Sequence, residues 1–196
     1  MTHHFAVIDL GSNSARMTIW EIEQEVVKPI KRLKEMVRLS EDMGPDRVLQ
    51  PAAMDRTLKA LQGFKTELNK YADIDLKAVA TAAVRQAKNQ KEFLKRVKNE
   101  AGLIINVIPG TREAEYDFLG VINTLPIQNA LIMDTGGAST ELILVQNRKL
   151  QHLVSIPFGS VNLSERFLNP DVISAPEYFA LSTFIHETFN SIWWLR

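Results

Sequence analysis

Cysteine is absent from the 196-residue chain, and neither sign of charge is in excess, with 23 lysine and arginine residues against 23 aspartate and glutamate residues. The lack of cysteine excludes disulfides and thiolate metal sites, and it fits a reducing compartment. The lack of net charge means that any anion-binding site must be local. With 45% hydrophobic residues, the chain can form a sizeable core in one large or two small domains.

Long apolar runs are also absent. No run approaches the ~18 apolar residues of a membrane span, and the N-terminus lacks the basic flank and apolar segment of a signal peptide. We therefore expect a cytoplasmic protein that has neither a membrane nor a nucleic acid as its partner. His3 and His4 could suggest a metal pair, but two adjacent histidines at a terminus are more often solvated.

One short pattern occurs twice in the chain. An apolar run ends in Asp9-x-Gly11, and another ends in Asp134-x-Gly136, 125 positions later. In both copies small hydroxyl and glycine residues follow, and then a run rich in β-branched residues. The pattern predicts a strand, a tight turn and a returning strand, made twice.

The residue types in these turns are suited to binding phosphate. Glycine and serine let the backbone bend sharply, and a concavity of N–H groups attracts anions. A carboxylate beside such a cradle requires a divalent cation or an ordered water between itself and the phosphate. One copy alone is equally compatible with an ordinary hairpin. Two such turns facing each other could bind one phosphate chain from both sides. Duplicated Asp-Gly phosphate loops resemble those of the superfamily of actin, sugar kinases and heat-shock ATPases.

The order of predicted elements indicates a repeated fold. Three strands, a helix, a strand, a helix, a strand and a helix are the order of a ribonuclease-H-like domain, and the first three strands then recur. We predict an α/β protein with the ribonuclease-H-like (actin-like ATPase) fold, mixed sheets with flanking helices, and a second copy that is incomplete. The predicted domains are residues 1–124 and residues 125–196. The predicted strands are 15–23, 26–39, 76–81, 103–108, 129–135, 140–146 and 150–156, and the predicted helices are 51–71, 82–102, one from 112, and one from 175 towards 193.

The second copy stops before the strand–helix–strand steps that complete the first. We therefore expect either a fragment or a protein whose second half has been reduced. Trp193 and Trp194 would expose apolar surface unless they dock against the rest of the chain or a partner.

Several motifs together narrow the superfamily to one family. They lie in the expected order with plausible gaps at residues 8–16, 38–39, 80–89, 110–114, 134–142 and 158–161. Together they resemble the exopolyphosphatase and guanosine-pentaphosphate phosphohydrolase family. The resemblance implies hydrolysis of terminal phosphates from inorganic polyphosphate or from pppGpp, with a divalent cation, usually Mg²⁺, in a cleft between two domains. It also implies a possible homodimer.

The same resemblance implies a role for individual residues. Glu113 would be the base that activates water for in-line attack, and Arg16 and Arg85 would neutralise charge on the transferred phosphoryl group. Asp134 and Glu141, with Asp9 assisting, would place the metal. The phosphate-binding residues would be Ser12, Asn13, Ser14, Gly136, Gly137, Ala138 and Ser139.

The residues themselves leave alternatives open. Glu113 in the first turn of a helix could be a capping residue, and Arg85 could pair with a surface carboxylate. Lys31, Arg32, Lys34 and Arg38 could be a solvated strand face. Ala138 stands where the family usually has glycine, and it would narrow the loop if that position needed a positive φ. A non-catalytic polyphosphate or nucleotide binding module and a sugar or acetate kinase remain competing hypotheses.

Overall fold

The structure of the protein is a computed structural model that describes residues 3–24, 26–169 and 172–196. Contacts between residues divide the chain into two units, one ending at Arg112 and one beginning at Glu113. We call them unit 1 and unit 2. The sequence-based boundary between residues 124 and 125 stays a prediction.

Unit 1 is built around one five-stranded sheet with the strand order β3-β2-β1-β4-β5. Strands β1, β2 and β3 form an antiparallel meander, whereas β4 runs parallel to β1 and β5 runs parallel to β4. The elements are β1 (His3–Leu10), β2 (Ser14–Glu23), β3 (Val26–Met36), α1 (Pro51–Leu68), β4 (Ile74–Ala80), α2 (Ala82–Gln86), α3 (Gln90–Arg96), a π-helical turn (Val97–Ala101) and β5 (Asn106–Val107).

One face of this sheet forms the core of unit 1. Alternate residues of β1 and β2, among them Ile8 and Met17, are buried on the face that carries the main apolar cluster. Helix α1 presents Leu61 and Phe64 to the same cluster, at the spacing of one helix face. The helix begins at Pro51 as predicted and ends at Leu68, a few residues before the predicted end.

The helix predicted for residues 82–102 is interrupted in the structure. Ala87 adopts an extended conformation at the end of α2, and the backbone N–H of Lys88 donates to the Arg47 carbonyl at 2.9 Å. The Asn89 side chain then binds both backbone groups of Leu49, at 2.9 and 3.0 Å. These contacts with the segment before α1 outweigh the local helix preference. Gly102 ends the helical run in the left-handed conformation, with φ of 64°.

The strand predicted for residues 103–108 is shorter than expected. Only Asn106 and Val107 pair with β4. Leu103 and Ile105 are buried in the core of unit 1. The apolar pattern of this segment therefore reflects packing in the core and not pairing with a neighbouring strand.

Unit 2 repeats the opening meander of unit 1 as a three-stranded sheet in the order β6-β7-β8. Helix α4 covers one face of it through Ala114 and Ile122, which pack with Ile143 and Val145. Leu142, Ile156, Phe158 and Ile192 form the cluster on the other face. The elements are α4 (Gly110–Thr124, which begins in unit 1), β6 (Ala130–Thr135), β7 (Thr140–Gln146), β8 (Lys149–Ile156), α5 (Ser160–Phe167), α6 (Ala175–Asn190) and a 3₁₀ turn (Trp193–Leu195).

Strand β6 is one of the two edge strands of the second sheet. Leu131 and Met133 are 53% and 60% exposed, whereas Ala6 and Ile8, their counterparts 125 positions earlier, are fully buried. In unit 1 the corresponding strand, β1, has β4 on its other side. Within the described residues, no strand pairs with the second edge of β6.

The C-terminal tryptophans have different environments. Trp194 packs on the cluster of unit 2 and stacks with His152 at a ring distance of 5.8 Å. Trp193 meets the same histidine edge-on at 4.8 Å and remains 68% exposed. Among the described residues, no helix is both long and apolar enough to cross a bilayer.

Candidate functional site

The turn between β1 and β2, residues 11–14, is closed by a hydrogen bond within itself. The Gly11 N–H donates to the Ser14 carbonyl at 3.0 Å. The chain that leaves β3 supports the turn from outside, because Ser40 N donates to the Ser12 carbonyl at 3.0 Å. The N–H groups of Val37 and Arg38 both donate to the Asn13 carbonyl, at 3.0 and 2.9 Å.

The turn between β6 and β7, residues 136–139, repeats this arrangement. The Gly136 N–H donates to the Ser139 carbonyl at 2.9 Å. Here the start of α5 gives the external support. Ser160 N donates to the Gly136 carbonyl at 2.8 Å, and Val161 N donates to the Gly137 carbonyl at 2.9 Å.

These bonds fix the direction of the N–H groups in both turns. In a trans peptide the carbonyl and the following N–H point in opposite directions. Since the carbonyls of Ser12 and Gly136 accept bonds from the supporting segments, the N–H groups of Asn13 and Gly137 point away from those segments. The Gly136 N–H is used inside its own turn, so Asn13 and Gly137 are better placed than Gly136 to donate a backbone N–H to phosphate.

Gly159 is a site residue whose role was not predicted. A methyl group in place of its hydrogen would lie 2.7 Å from the Ala138 nitrogen and closer still to the Gly136 carbonyl oxygen. Only glycine therefore lets the start of α5 approach the second turn closely enough to make its supporting bonds. The sequence signal was the Phe158–Gly159 pair after the third strand, which marked the family resemblance but not this contact.

Ala138 does not narrow the second turn through its backbone conformation. It is not among the residues with a positive φ, and its side chain is buried. Gly11 and Gly136 do not take a positive φ either. A Cβ at Gly11 would approach the Ser14 carbonyl oxygen to 3.2 Å, so this glycine provides space rather than an unusual backbone angle. Position 138 therefore needs no positive φ, so the condition under which Ala138 would narrow the loop is not met.

Two predicted metal ligands lie side by side in unit 2. Asp134 and Glu141 are directly opposite in the β6–β7 ladder, so their side chains share one face of the sheet. Asp134 is exposed, whereas Glu141 is 2% exposed. The buried carboxylate accepts hydrogen bonds from Ser155 Oγ at 2.7 Å and Ser139 Oγ at 3.4 Å. These bonds offset part of the cost of burying its charge.

Unit 1 groups a second set of predicted residues around the first turn. Asp9 lies opposite Arg16 in the β1–β2 ladder, on either side of Ser12, Asn13 and Ser14. Thr81 N donates to the Leu10 carbonyl at 3.1 Å, and Arg85 lies one helical turn beyond Thr81. The Arg85 guanidinium donates to the Ile108 carbonyl at 3.0 Å. This bond ties α2 to the end of β5, a few residues before Glu113.

Glu113 lies in the first turn of α4 and is partly buried. Its neighbour Ala114 is fully buried against the sheet of unit 2. Packing of the next residue therefore fixes the helix face from which the Glu113 carboxylate extends.

No group of three or more histidine, aspartate and glutamate side chains within the described part of the chain is arranged to hold a metal ion. A pair of carboxylates, such as Asp134 and Glu141, is nevertheless the donor set that Mg²⁺ commonly uses. Mg²⁺ keeps several waters and binds through one or two carboxylates together with substrate phosphates. The residues present in unit 2 therefore fit this cation.

Comparison with known proteins identifies relatives along most of the chain. The family model described as the Ppx/GppA phosphatase family matches residues 18–194. The chain is 35% identical over 172 residues to a bifunctional 3-dehydroquinate synthase/phosphatase of Fusobacterium nucleatum, covering 83% of this chain and 26% of that protein. It is 34% identical over 177 residues to the guanosine-5'-triphosphate,3'-diphosphate pyrophosphatase of Pseudoalteromonas atlantica, covering 90% of this chain and 35% of that protein.

A solved structure agrees with this relationship. The exopolyphosphatase from Cytophaga hutchinsonii superposes with a TM-score of 0.88 at 29% identity, covering 97% of this chain and 60% of that one. The chain thus spans about a quarter to a third of the two sequence relatives and three fifths of the structural one. The predicted actin-like ATPase fold is confirmed. With a family match from residue 18 to residue 194, the chain belongs to the Ppx/GppA phosphatase family.

Proposed function

We propose that this chain is part of a phosphohydrolase that releases the terminal phosphate of inorganic polyphosphate. The observation that carries the proposal is the repeated turn, in which an aspartate precedes a glycine whose N–H closes the turn at 3.0 Å in one copy and 2.9 Å in the other. Two such turns in a chain of the Ppx/GppA phosphatase family are suited to a ligand with several phosphates.

Each turn contributes its own phosphate donors in this proposal. Asn13 and Gly137 donate backbone N–H groups, since their preceding carbonyls are already held by the supporting segments. The hydroxyls of Ser12 and Ser14 add side-chain donors, whereas the single hydroxyl proton of Ser139 is directed at Glu141. Such donors are fixed before the substrate arrives, so they stabilise developing charge without the cost of reorienting water.

Glu113 is the proposed general base. It orients a water molecule and takes its proton as the water oxygen attacks the terminal phosphorus in line with the bridging oxygen. The bond from phosphorus to the bridging oxygen breaks, and inorganic phosphate and a polyphosphate one unit shorter leave. Arg16 and Arg85 neutralise the charge on the phosphoryl oxygens, and the Ile108 carbonyl holds Arg85 in position at 3.0 Å.

Asp134 and Glu141 are the proposed ligands of a divalent cation, which we take to be Mg²⁺, with Asp9 assisting. When bound, the cation offsets the negative charge of the phosphate oxygens. Hydrogen bonds from Ser155 Oγ at 2.7 Å and from Ser139 Oγ at 3.4 Å hold the Glu141 carboxylate in one orientation. We place this activity in the cytoplasm.

Hydrolysis of pppGpp is the second candidate function. It is favoured by the relative from Pseudoalteromonas atlantica, whose name is guanosine-5'-triphosphate,3'-diphosphate pyrophosphatase. The same water attack would remove the terminal 5'-phosphate of the nucleotide. A non-catalytic module that binds polyphosphate through the two turns is the alternative from another class.

Release of free phosphate from polyphosphate and from pppGpp, with Mg²⁺ and with a chelator, tests this proposal. We expect Glu113→Gln to lower release by about 10²- to 10⁴-fold, because the variant keeps the shape of the side chain but not its basicity. Glu92→Gln is the matched control, since Glu92 also lies in the first turn of a helix but is exposed on α3. Equal activity of Glu113→Gln and the parent chain would contradict the proposed base. Tight binding without release by the folded parent chain would instead identify a binding module.

A further inference from the structure

The outer face of the first sheet carries two basic residues that the proposed catalytic step does not use, Arg32 and Lys34, beside Arg16, which it does use. Ala15, Met17 and Ile19 of β2 are buried towards the core, so Arg16 and Thr18 point to the opposite face. The β2–β3 register places Lys34 opposite Arg16 and Arg32 opposite Thr18. Arg16, Lys34 and Arg32 therefore share the outer face, and we call them the cationic track.

The track concentrates positive charge at a cost to the folded chain. Two like charges directly opposite on neighbouring strands destabilise a sheet, and Arg16 and Lys34 are such a pair. Arg16, Lys34 and Arg32 are all exposed. Within the described part of the chain, no ion pair neutralises any of the three. Asp9, opposite Arg16 on β1, is the one carboxylate in the row that Arg16 and Lys34 occupy.

Lys28 and Arg38 of the same arm have a carboxylate partner, as Arg16 has Asp9, whereas no carboxylate of the described residues lies directly opposite Arg32 or Lys34. Lys28 lies opposite Glu21, and Arg38, just beyond β3, pairs with Glu41 at 3.8 Å. Lys31 points to the core face. The hydrogen bond from Lys70 is the main cause of the lowered pKa of Glu67, and the charge of Lys31 is the smallest of the contributions to it. Basic residues on an edge strand can serve only to prevent pairing with other chains. That role requires no particular face and does not explain why Arg32 and Lys34 share the face of Arg16 next to the first turn.

The position of the track connects it to the first turn. Arg16 lies two residues after Ser14, the last residue of that turn, and Arg32 lies one step farther along the same face. The charge then ends, because the next row contains Phe5, Trp20 and Pro29, with the two rings 6.4 Å apart. Successive rows on one face of a strand are about 6.6 to 6.8 Å apart. The track therefore extends two rows from the turn in which we place a phosphate.

We propose that the cationic track binds phosphates of a linear polyphosphate chain beyond the one held at the first turn, and so favours long chains over short ones. The inference rests on the proposed function for the location of the first phosphate. A chain with a charge on every unit can contact cations in both rows of the track, Arg16 and Lys34 in the first and Arg32 in the second, whereas tripolyphosphate is too short to occupy both the turn and the whole track. Arg32 and Lys34 would then determine preference for chain length without touching the reacting phosphorus.

The test compares Arg32→Glu/Lys34→Glu with Lys91→Glu/Lys95→Glu, two exposed lysines of α3 that give the same change in net charge. Binding of end-labelled long-chain polyphosphate and of tripolyphosphate is measured by fluorescence anisotropy and competition at several salt concentrations. We expect the track variant to lose at least about tenfold in affinity for the long chain and less than about twofold for tripolyphosphate. Its salt dependence should also become shallower, by about one to two units of slope, because fewer counterions are displaced.

Three results would overturn the inference. The first is an equal loss of affinity for long-chain polyphosphate in both variants, which would indicate general electrostatic attraction. The second is an unchanged affinity of the track variant. The third is a parent chain that binds long and short polyphosphate equally well. Thermal unfolding checks the fold, and the track variant should unfold at the same temperature as the parent chain or higher, because the charge reversal removes the like-charge pair. Glu113-dependent hydrolysis of tripolyphosphate is scored separately. If the parent chain hydrolyses tripolyphosphate but the track variant binds long chains normally, only the inference about the track is rejected. If the track variant loses long-chain binding but the parent chain shows no hydrolysis, only the catalytic proposal is rejected.

Discussion

Gly159 determines how the second turn is supported. Its missing side chain lets α5 begin against the carbonyls of Gly136 and Gly137, to which Ser160 and Val161 donate at 2.8 and 2.9 Å. Because those bonds orient the Gly137 N–H, a residue that would not itself touch phosphate controls one of the proposed phosphate donors.

Gly159→Ala is therefore predicted to lower stability by about 3 kcal/mol, as expected when an added methyl meets a close-packed backbone. It should also raise the concentration of polyphosphate needed for binding. Gly120→Ala is the control, since a Cβ at this position of α4 meets open space. That variant should gain about 0.4–1 kcal/mol through the lower entropy of its unfolded chain. Chemical denaturation of both variants measures the difference, and similar values for the two would contradict the role of Gly159.

The residues of the two turns could largely be predicted from the sequence, but their supporting contacts could not. Asp134 and Glu141 were expected to act together, and a tight turn between two strands places them opposite each other. The contact of Glu141 with Ser155 requires the pairing of β7 with β8, which shifts register between Leu144 and Val145. A sequence pattern carries no information on that shift.

At the scale of single elements, α6 has a complete capping box at its start. Ser174 N and Ser174 Oγ each donate to the Glu177 carboxylate at 2.7 Å, and Asn169 N donates to it at 3.0 Å. The Ser174 hydroxyl and then the Ser174 N–H are the main groups that lower the pKa of Glu177 below its usual value of 4.5. The box thus fixes the first turn of α6 while the carboxylate is ionised.

The sign of the pH effect follows from the direction of this pKa change. A carboxylate with a lowered pKa in the folded chain adds stability above its unfolded pKa, and that stability is lost as the pH falls through the folded pKa. We predict that the amides at the start of α6 exchange at a constant protection factor above pH 4.5 and lose protection below it. Ser174→Ala should reduce this pH dependence, because it removes the hydroxyl donor but keeps the backbone N–H donors of residues 174 and 169, whereas Ser191→Ala at the other end of the helix should leave it unchanged. Protection that is independent of pH in the parent chain would contradict the prediction.

Element boundaries were predicted well where local patterns determine them and poorly where distant contacts do. Strand β7 and the start of α1 at Pro51 agree with the sequence analysis. The break between α2 and α3 depends on Asn89, whose side chain binds Leu49, 40 residues away. The local sequence favours an unbroken helix there, and the tertiary contact prevails.

At the scale of the whole chain, the duplication was visible in the sequence because its two turns lie 125 positions apart with similar residues. The net charge of zero, by contrast, conceals a local concentration of cations on one face of the first sheet. The cationic track was not recognised from the sequence, because which lysines and arginines share a face depends on the β2–β3 register and its bulge near Ile19 and Trp20.

The bare edge of β6 has a consequence for how this chain behaves in solution. Within the described residues, the outer N–H and C=O groups of β6, beside the exposed Leu131 and Met133, pair with no strand, and such an edge is a template on which another molecule can add a strand. We predict that the purified chain self-associates as its concentration rises, and that Met133→Lys shifts sedimentation towards the monomer. Met36→Lys on β3 is the control, because that edge already carries lysines. If both variants sediment alike, association does not occur through β6.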